Sequence, residues 1–136
     1  MKGSKKYWMP SSTSNSVIKL SETDKEHVSN YFVPLIETFK KQYIPKNPNK
    51  KFNYLVDIYS KWYQKYFYLC EKYKSEHPQR IKDEFEIKSV RLKYTGKDQF
   101  EFSYFRHTGQ WHLISVGLTL EECKEMILSN PVFQPT

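Results

Sequence analysis

Cysteine is scarce in this chain of 136 residues: Cys70 and Cys123 stand far apart and form no CxxC. That spacing argues against a disulfide scaffold or a zinc site and agrees with a reducing compartment, in which two buried thiols stay unpaired. Long apolar runs are missing as well. No stretch approaches the ~20 residues of a membrane helix, and Met1 to Pro10 carries lysines with no apolar segment behind them, so neither a membrane span nor a secretory signal is expected. The cytoplasm is the expected location. GxSxG, the Walker loop, GxGxxG and HExxH are all absent, which leaves no motif that argues for catalysis. No metal or cofactor is expected.

Aromatic rings are abundant by contrast. The 11 Tyr, 9 Phe and 3 Trp make up 17% of the chain, while the mean hydropathy is -0.77, so the apolar area comes largely from rings with polar handles. The net charge of +7 is unevenly spread, with 16 Lys or Arg against 7 Asp or Glu over residues 1–82 and 6 against 8 over residues 83–136. A basic half suits an anionic partner, nucleic acid first, although scattered lysines also serve solubility alone.

Residues 1–16 join lysines to a Ser/Thr/Asn run and read as a flexible basic arm, in which Tyr7, Trp8 and Met9 are the exception. Residues 17–136 read as a single α+β domain. Ser21 can cap a helix that carries Glu22 and Asp24 in its first turn and Val28, Tyr31, Phe32, Leu35, Ile36, Phe39 and Tyr43 at helical spacing, with a kink expected at Pro34. Residues 54–75 give two conflicting signals, a nearly helical repeat of polar positions and residue types that favour strands. Two strands, Leu55 to Ser60 and Lys65 to Lys74, are the preferred assignment, and one long helix is the alternative.

Residues 84–94 change parity between Phe85/Ile87 and Val90/Leu92/Tyr94, which a bulge at Lys88-Ser89 reconciles. A three-residue turn at Thr95-Gly96-Lys97 then sets Leu92 opposite Phe100. The next hairpin, Gln99 to Val116, turns at Thr108-Gly109. With those two as the loop, Arg106 faces Trp111 and Phe105 faces His112. One face then carries Phe100, Phe102, Tyr104, Arg106, Trp111 and Leu113 as core, and the other carries Glu101, Ser103, Phe105, His107, Gln110, His112, Ile114 and Val116. On that register Trp111→Ala is expected to cost roughly 3 to 5 kcal/mol. Thr119 and Glu122 form a capping box for a last helix with the stripe Leu120, Cys123, Met126 and Ile127, stopped by Asn130-Pro131. The expected fold is α+β, an antiparallel meander of about four strands packed by an N-terminal and a C-terminal helix.

With YFYLCEKY, FEIKSVRLKY, the RHTGQW turn and LTLEECKEMI in this order, residues 55–135 resemble a family of small uncharacterised bacterial proteins that share an Arg-His-Thr-Gly-x-Trp turn and a Leu-x-x-x-Glu-Cys helix. The helix-first, meander-last layout is also similar to nuclear transport factor 2-like cone folds, a likeness that implies a small-ligand pocket in a concave sheet.

Three functions fit these features. The first is a non-catalytic binding module for an anionic partner, most plausibly nucleic acid, using Lys65, Lys72 and Lys74 interleaved with the aromatic strand. The second is a small-molecule pocket protein or enzyme with Arg106, His107, Trp111 and His112 at its mouth, where Arg106 and Trp111 stack as a cation-π pair. Glu101 near His112, or Asp57, would be its acid-base groups. The third is an interaction or homodimerisation domain using the exposed sheet face with Phe105, Ile114 and Val116. No membrane partner is expected.

Overall fold

The structure, a computed structural model, describes residues 19–76, 78–79, 83–106 and 108–135; the arm at residues 1–16 and the loop residue His107 lie outside them. Its order is α1 (Glu22–Tyr43), β1 (Tyr54–Tyr63), β2 (Tyr66–Lys74), β3 (Glu84–Gly96), β4 (Gln99–Phe105), β5 (Trp111–Leu118) and α2 (Leu120–Ser129), followed by a single 3-10 turn at Pro131–Phe133. The strands form one antiparallel meander in the order β1-β2-β3-β4-β5. This is the expected α+β class with five strands in place of about four: residues 54–75 form the two strands of the preferred assignment, the first running on to Tyr63 because the chain turns later, at Gln64-Lys65, and the second beginning at Tyr66. Among the described residues no helix is long and apolar enough to cross a membrane.

Both helices begin where their caps place them. Ser21 Oγ accepts from the Asp24 amide at 3.0 Å while the Asp24 carboxylate accepts from the Ser21 amide at 3.1 Å, and Thr119 and Glu122 repeat the arrangement at α2. Each pair satisfies two of the backbone donors that a helix start leaves orphaned. Thr119→Ala is accordingly expected to lower stability by about 1 kcal/mol, read as a small fall in the denaturant midpoint with the slope unchanged. α1 runs unbroken through Pro34, whose ring removes the donor to the Asn30 carbonyl, while Thr38 Oγ1 donates to the Pro34 carbonyl at 2.9 Å.

One sheet face meets the helices and the other does not. The row Trp62–Phe67–Leu92–Phe102–Ser115 crosses all five strands on the helix side, and the next row, Lys61–Tyr68–Arg91–Ser103–Leu113, crosses them on the open side. α1 lays Val28, Phe32, Leu35, Ile36 and Phe39 into the core, stacking Phe32 on Phe67 at 5.3 Å, and Trp62 Nε1 donates to Ser29 Oγ at 3.1 Å. α2 adds Leu120, Cys123 and Ile127. The C-terminal turn sets Phe133 edge-on to Phe102 and Tyr104 at 5.0 and 5.3 Å. Gln134 ties that turn down, donating to the Ile127 and Leu128 carbonyls and accepting from Tyr43 Oη. Both cysteines are buried and unpaired.

The bulge is where the parity change requires it: Leu69 pairs with Val90 and Cys70 with Lys88, so Ser89 is the extra residue. Two registers differ from expectation. Leu92 pairs with Phe102 rather than Phe100, because β3 continues to Gly96 and turns on Lys97 and Asp98; the shift is two residues, so both side chains stay in the core. In the last hairpin, Trp111 pairs with Phe105 and His112 with Tyr104. The Arg106 amide donates to the Gln110 carbonyl and the Gly109 amide to the Arg106 carbonyl, which makes the loop three residues long, with Gly109 at φ 85°. A one-residue slip carries every side chain of the return strand to the other face. Trp111 and Leu113 therefore leave the core for the open face, Arg106 is exposed, and Leu113 is 58% exposed.

Candidate functional site

The open face has its own chemistry. The side chains pairing across it are Tyr54, Asp57, Tyr59, Lys61 and Tyr63 from β1, Tyr66, Tyr68, Cys70, Lys72 and Lys74 from β2, Glu84, Glu86, Lys88, Arg91 and Lys93 from β3, Glu101, Ser103 and Phe105 from β4, and Trp111 and Leu113 from β5. At its centre the Arg91 guanidinium lies 4.6 Å from the Trp111 ring centroid and 4.8 Å from that of Tyr66. The rings continue from Tyr66 to Tyr68 at 6.2 Å, Tyr68 to Trp111 at 5.8 Å and Trp111 to Phe105 at 5.1 Å. Lys88 Nζ stands over Tyr68, and Lys72 Nζ over Tyr59, each 5.8 Å from the centroid. A cation over a ring face gains about 0.5 to 2 kcal/mol depending on desolvation, so these contacts hold long side chains in place on the surface.

Glu86 is the counterweight. Its carboxylate pairs with Lys61 at 2.8 Å and Lys88 at 3.2 Å and accepts from the Tyr59 hydroxyl. The bonds from Lys61 and Tyr59 hold its pKa down from the usual 4.5 to about 2, whereas burial, aided by the bond to Glu86, pushes the Tyr59 phenol well above its usual value. Beneath this group the Cys70 thiol is fully buried, and desolvation pushes it up to about 12, so it is neutral at physiological pH. A carboxylate with a depressed folded pKa stabilises the fold above its unfolded value and loses that contribution as protons reach it. The melting temperature of the wild-type protein is thus expected to fall as the pH drops from about 4.5 to about 2, and Glu86→Gln to flatten part of that fall, screened by solvent to a modest effect.

The structure divides the residues singled out in the sequence. Of the three lysines, Lys72 and Lys74 are on the open face, Lys74 at the far end of β2 opposite Tyr54 and Glu84, whereas Lys65 sits in the β1-β2 turn, where its carbonyl accepts from the Tyr94 amide. Arg106, Trp111 and His112 form no common mouth, since Trp111 is on the open face and His112, opposite Tyr104, on the helix side. Arg91 takes the stacking place expected of Arg106. Glu101, opposite Lys93 on the open face, is on the other side of the sheet from His112, and Asp57 pairs with Lys40 at 3.5 Å. Neither carboxylate meets a histidine there. Tyr66 and Tyr68 belong to the open face, whereas Tyr73 is on the other face, stacked on Phe85 at 5.5 Å.

Arg91, Lys88, Lys93 and Lys61 escaped the sequence reading. Their signal was present in β3: once Ser89 is taken as the bulge, Val90, Leu92 and Tyr94 point inward and Arg91 and Lys93 must point out. Neither the curated proteins nor the solved structures contain a match to the chain. A family model does match over residues 25–135, nearly the whole described domain, and the chain therefore belongs to the family described as Domain of unknown function (DUF3024).

Proposed function

We propose that the protein is a non-catalytic binding module for single-stranded nucleic acid, which lies across the open sheet face. The observation that carries this reading is Arg91 stacked between Tyr66 and Trp111 on a surface that no helix among the described residues covers. Rings on such a surface stack on bases of any sequence, and flanking cations track the phosphates. Lys61, Lys72, Lys74, Lys88, Arg91 and Lys93 stand there against Asp57, Glu84, Glu86 and Glu101, an excess of two cations, and Glu86 already compensates Lys61 and Lys88. The electrostatic contribution is therefore moderate, and stacking carries much of the affinity.

Binding of a labelled oligothymidylate followed against salt tests this. A log-log slope of about -2 to -3 is expected, since each phosphate neutralised by a cation releases part of a counterion. Replacing Lys72, Arg91 and Lys93 together by Gln should flatten the slope, while Lys65→Gln, in the turn, should leave it nearly unchanged. No binding at about 50 mM salt, or a slope unmoved by the triple substitution, would defeat the reading.

The exposed Leu113, Ile114 and Val116 favour a second reading, a protein-interaction or homodimerisation domain at the β5 edge, because apolar side chains and unpaired backbone groups meet there. Sedimentation would distinguish it: an oligomer that Val116→Lys dissociates supports the second reading. Trp111 and His112 are on opposite faces of the sheet, so they do not share the mouth of one small-molecule pocket.

A further inference from the structure

A cavity of about 410 Å³ opens on the helix side, between the ends of β2, β3 and β4 and the C-terminal turn. It is lined by Glu71, Ile87, Tyr104, Phe105, Arg106 and Val132. Glu71 is 6% exposed, pairing in the sheet with Ile58 and Ile87. Among the described residues, the one hydrogen bond reaching its carboxylate comes from the Tyr73 hydroxyl at 2.6 Å, and no cation stands within ion-pair distance. Glu86, one strand over, shows what a satisfied carboxylate has in this protein: two lysines and a tyrosine. A buried carboxylate is retained when a partner offsets its desolvation. Here the cavity provides the room for one. Arg106 is exposed and has no ion pair among the described residues, so the same cavity offers an anion site.

We propose that this cavity binds a small zwitterion, a primary ammonium held by Glu71 among the Tyr73 and Tyr104 rings and a carboxylate held by Arg106. The ammonium supplies the charge and the donors that Glu71 lacks, and the rings add cation-π attraction. The planar guanidinium takes the carboxylate in two parallel hydrogen bonds. The volume lies within the range of small-ligand sites. Glu71 and Tyr104 are on the opposite side of the sheet from Arg91 and Tyr66, and the cavity meets the open-face rings only at Phe105, which also stacks on Trp111.

Calorimetry and amide chemical shifts with ε-aminocaproate, caproate and hexylamine as probes test the assignment on the full chain. Saturable binding of ε-aminocaproate is expected below about 10 mM, with caproate at least about tenfold weaker. Glu71→Gln should weaken ε-aminocaproate by about tenfold or more, and Arg106→Gln should weaken it while leaving hexylamine unchanged. Arg106 is exposed, so its substitution keeps the test open if Glu71→Gln fails to fold. Absence of saturation at about 10 mM, caproate binding as tightly as ε-aminocaproate, or affinity unaltered in both variants would overturn the proposal. Loss of oligonucleotide binding alone would not.

Discussion

Phe67→Ala is expected to cost about 3 to 5 kcal/mol, a large fraction of a whole stability of order 5 to 15 kcal/mol. The ring is fully buried in the helix-side row, on β2, stacked on Phe32 at 5.3 Å and tilted against Trp62 at 5.2 Å. Truncation therefore removes the one side chain that joins α1 to the sheet through two other rings, and rigid strands on both sides keep the cavity from collapsing. Equilibrium urea unfolding measures it. A loss under about 1 kcal/mol would mean that α1 does not pack on this row.

Trp111→Ala should have the reverse profile. Stability falls by about 1 to 2 kcal/mol, because the ring is half-buried against Phe105, Tyr68 and Arg91 and solvent refills its place. Oligonucleotide affinity should fall by about 5- to 150-fold, the equivalent of one stacked base at about 1 to 3 kcal/mol. Two losses are combined in that figure: the ring itself, and the support that keeps the Arg91 guanidinium oriented. Trp111→Phe, which keeps a stacking face, should recover most of the affinity. Tryptophan fluorescence of the wild type should be quenched by the oligonucleotide, and a Trp111→Ala variant that binds as tightly as wild type would move the interface elsewhere.

The contrast between Phe67 and Trp111 also shows how far residue order alone carries. Helix starts were legible at Ser21 and Thr119 because capping is local: donor and acceptor are three residues apart and need nothing else. The bulge at Ser89 was legible because parity within one strand is local too. The partner of Trp111 was not, because two strands can pair in either of two registers and the choice depends on a loop geometry that Thr108-Gly109 leaves open. A register one residue off changes Trp111 from a core ring to a ring on the open face.

By itself, then, the sequence determined the elements: an amphipathic helix with its cap, a run of alternating aromatic strands, a second capped helix, and the α+β class that follows from burying one face of each. It also determined that rings and lysines would share strands. The tertiary structure decided which rings became surface. The three-residue loop after Arg106 set the β4-β5 register, and the packing of both helices on the Trp62–Phe67–Leu92–Phe102 row left the Tyr68–Arg91 row uncovered. The cavity beside Glu71 likewise exists only because the C-terminal turn brings Val132 and Gln134 to the ends of β2, β3 and β4, strands far earlier in the chain. Contacts at such separation are selected by the total burial of the folded chain, which no local pattern encodes.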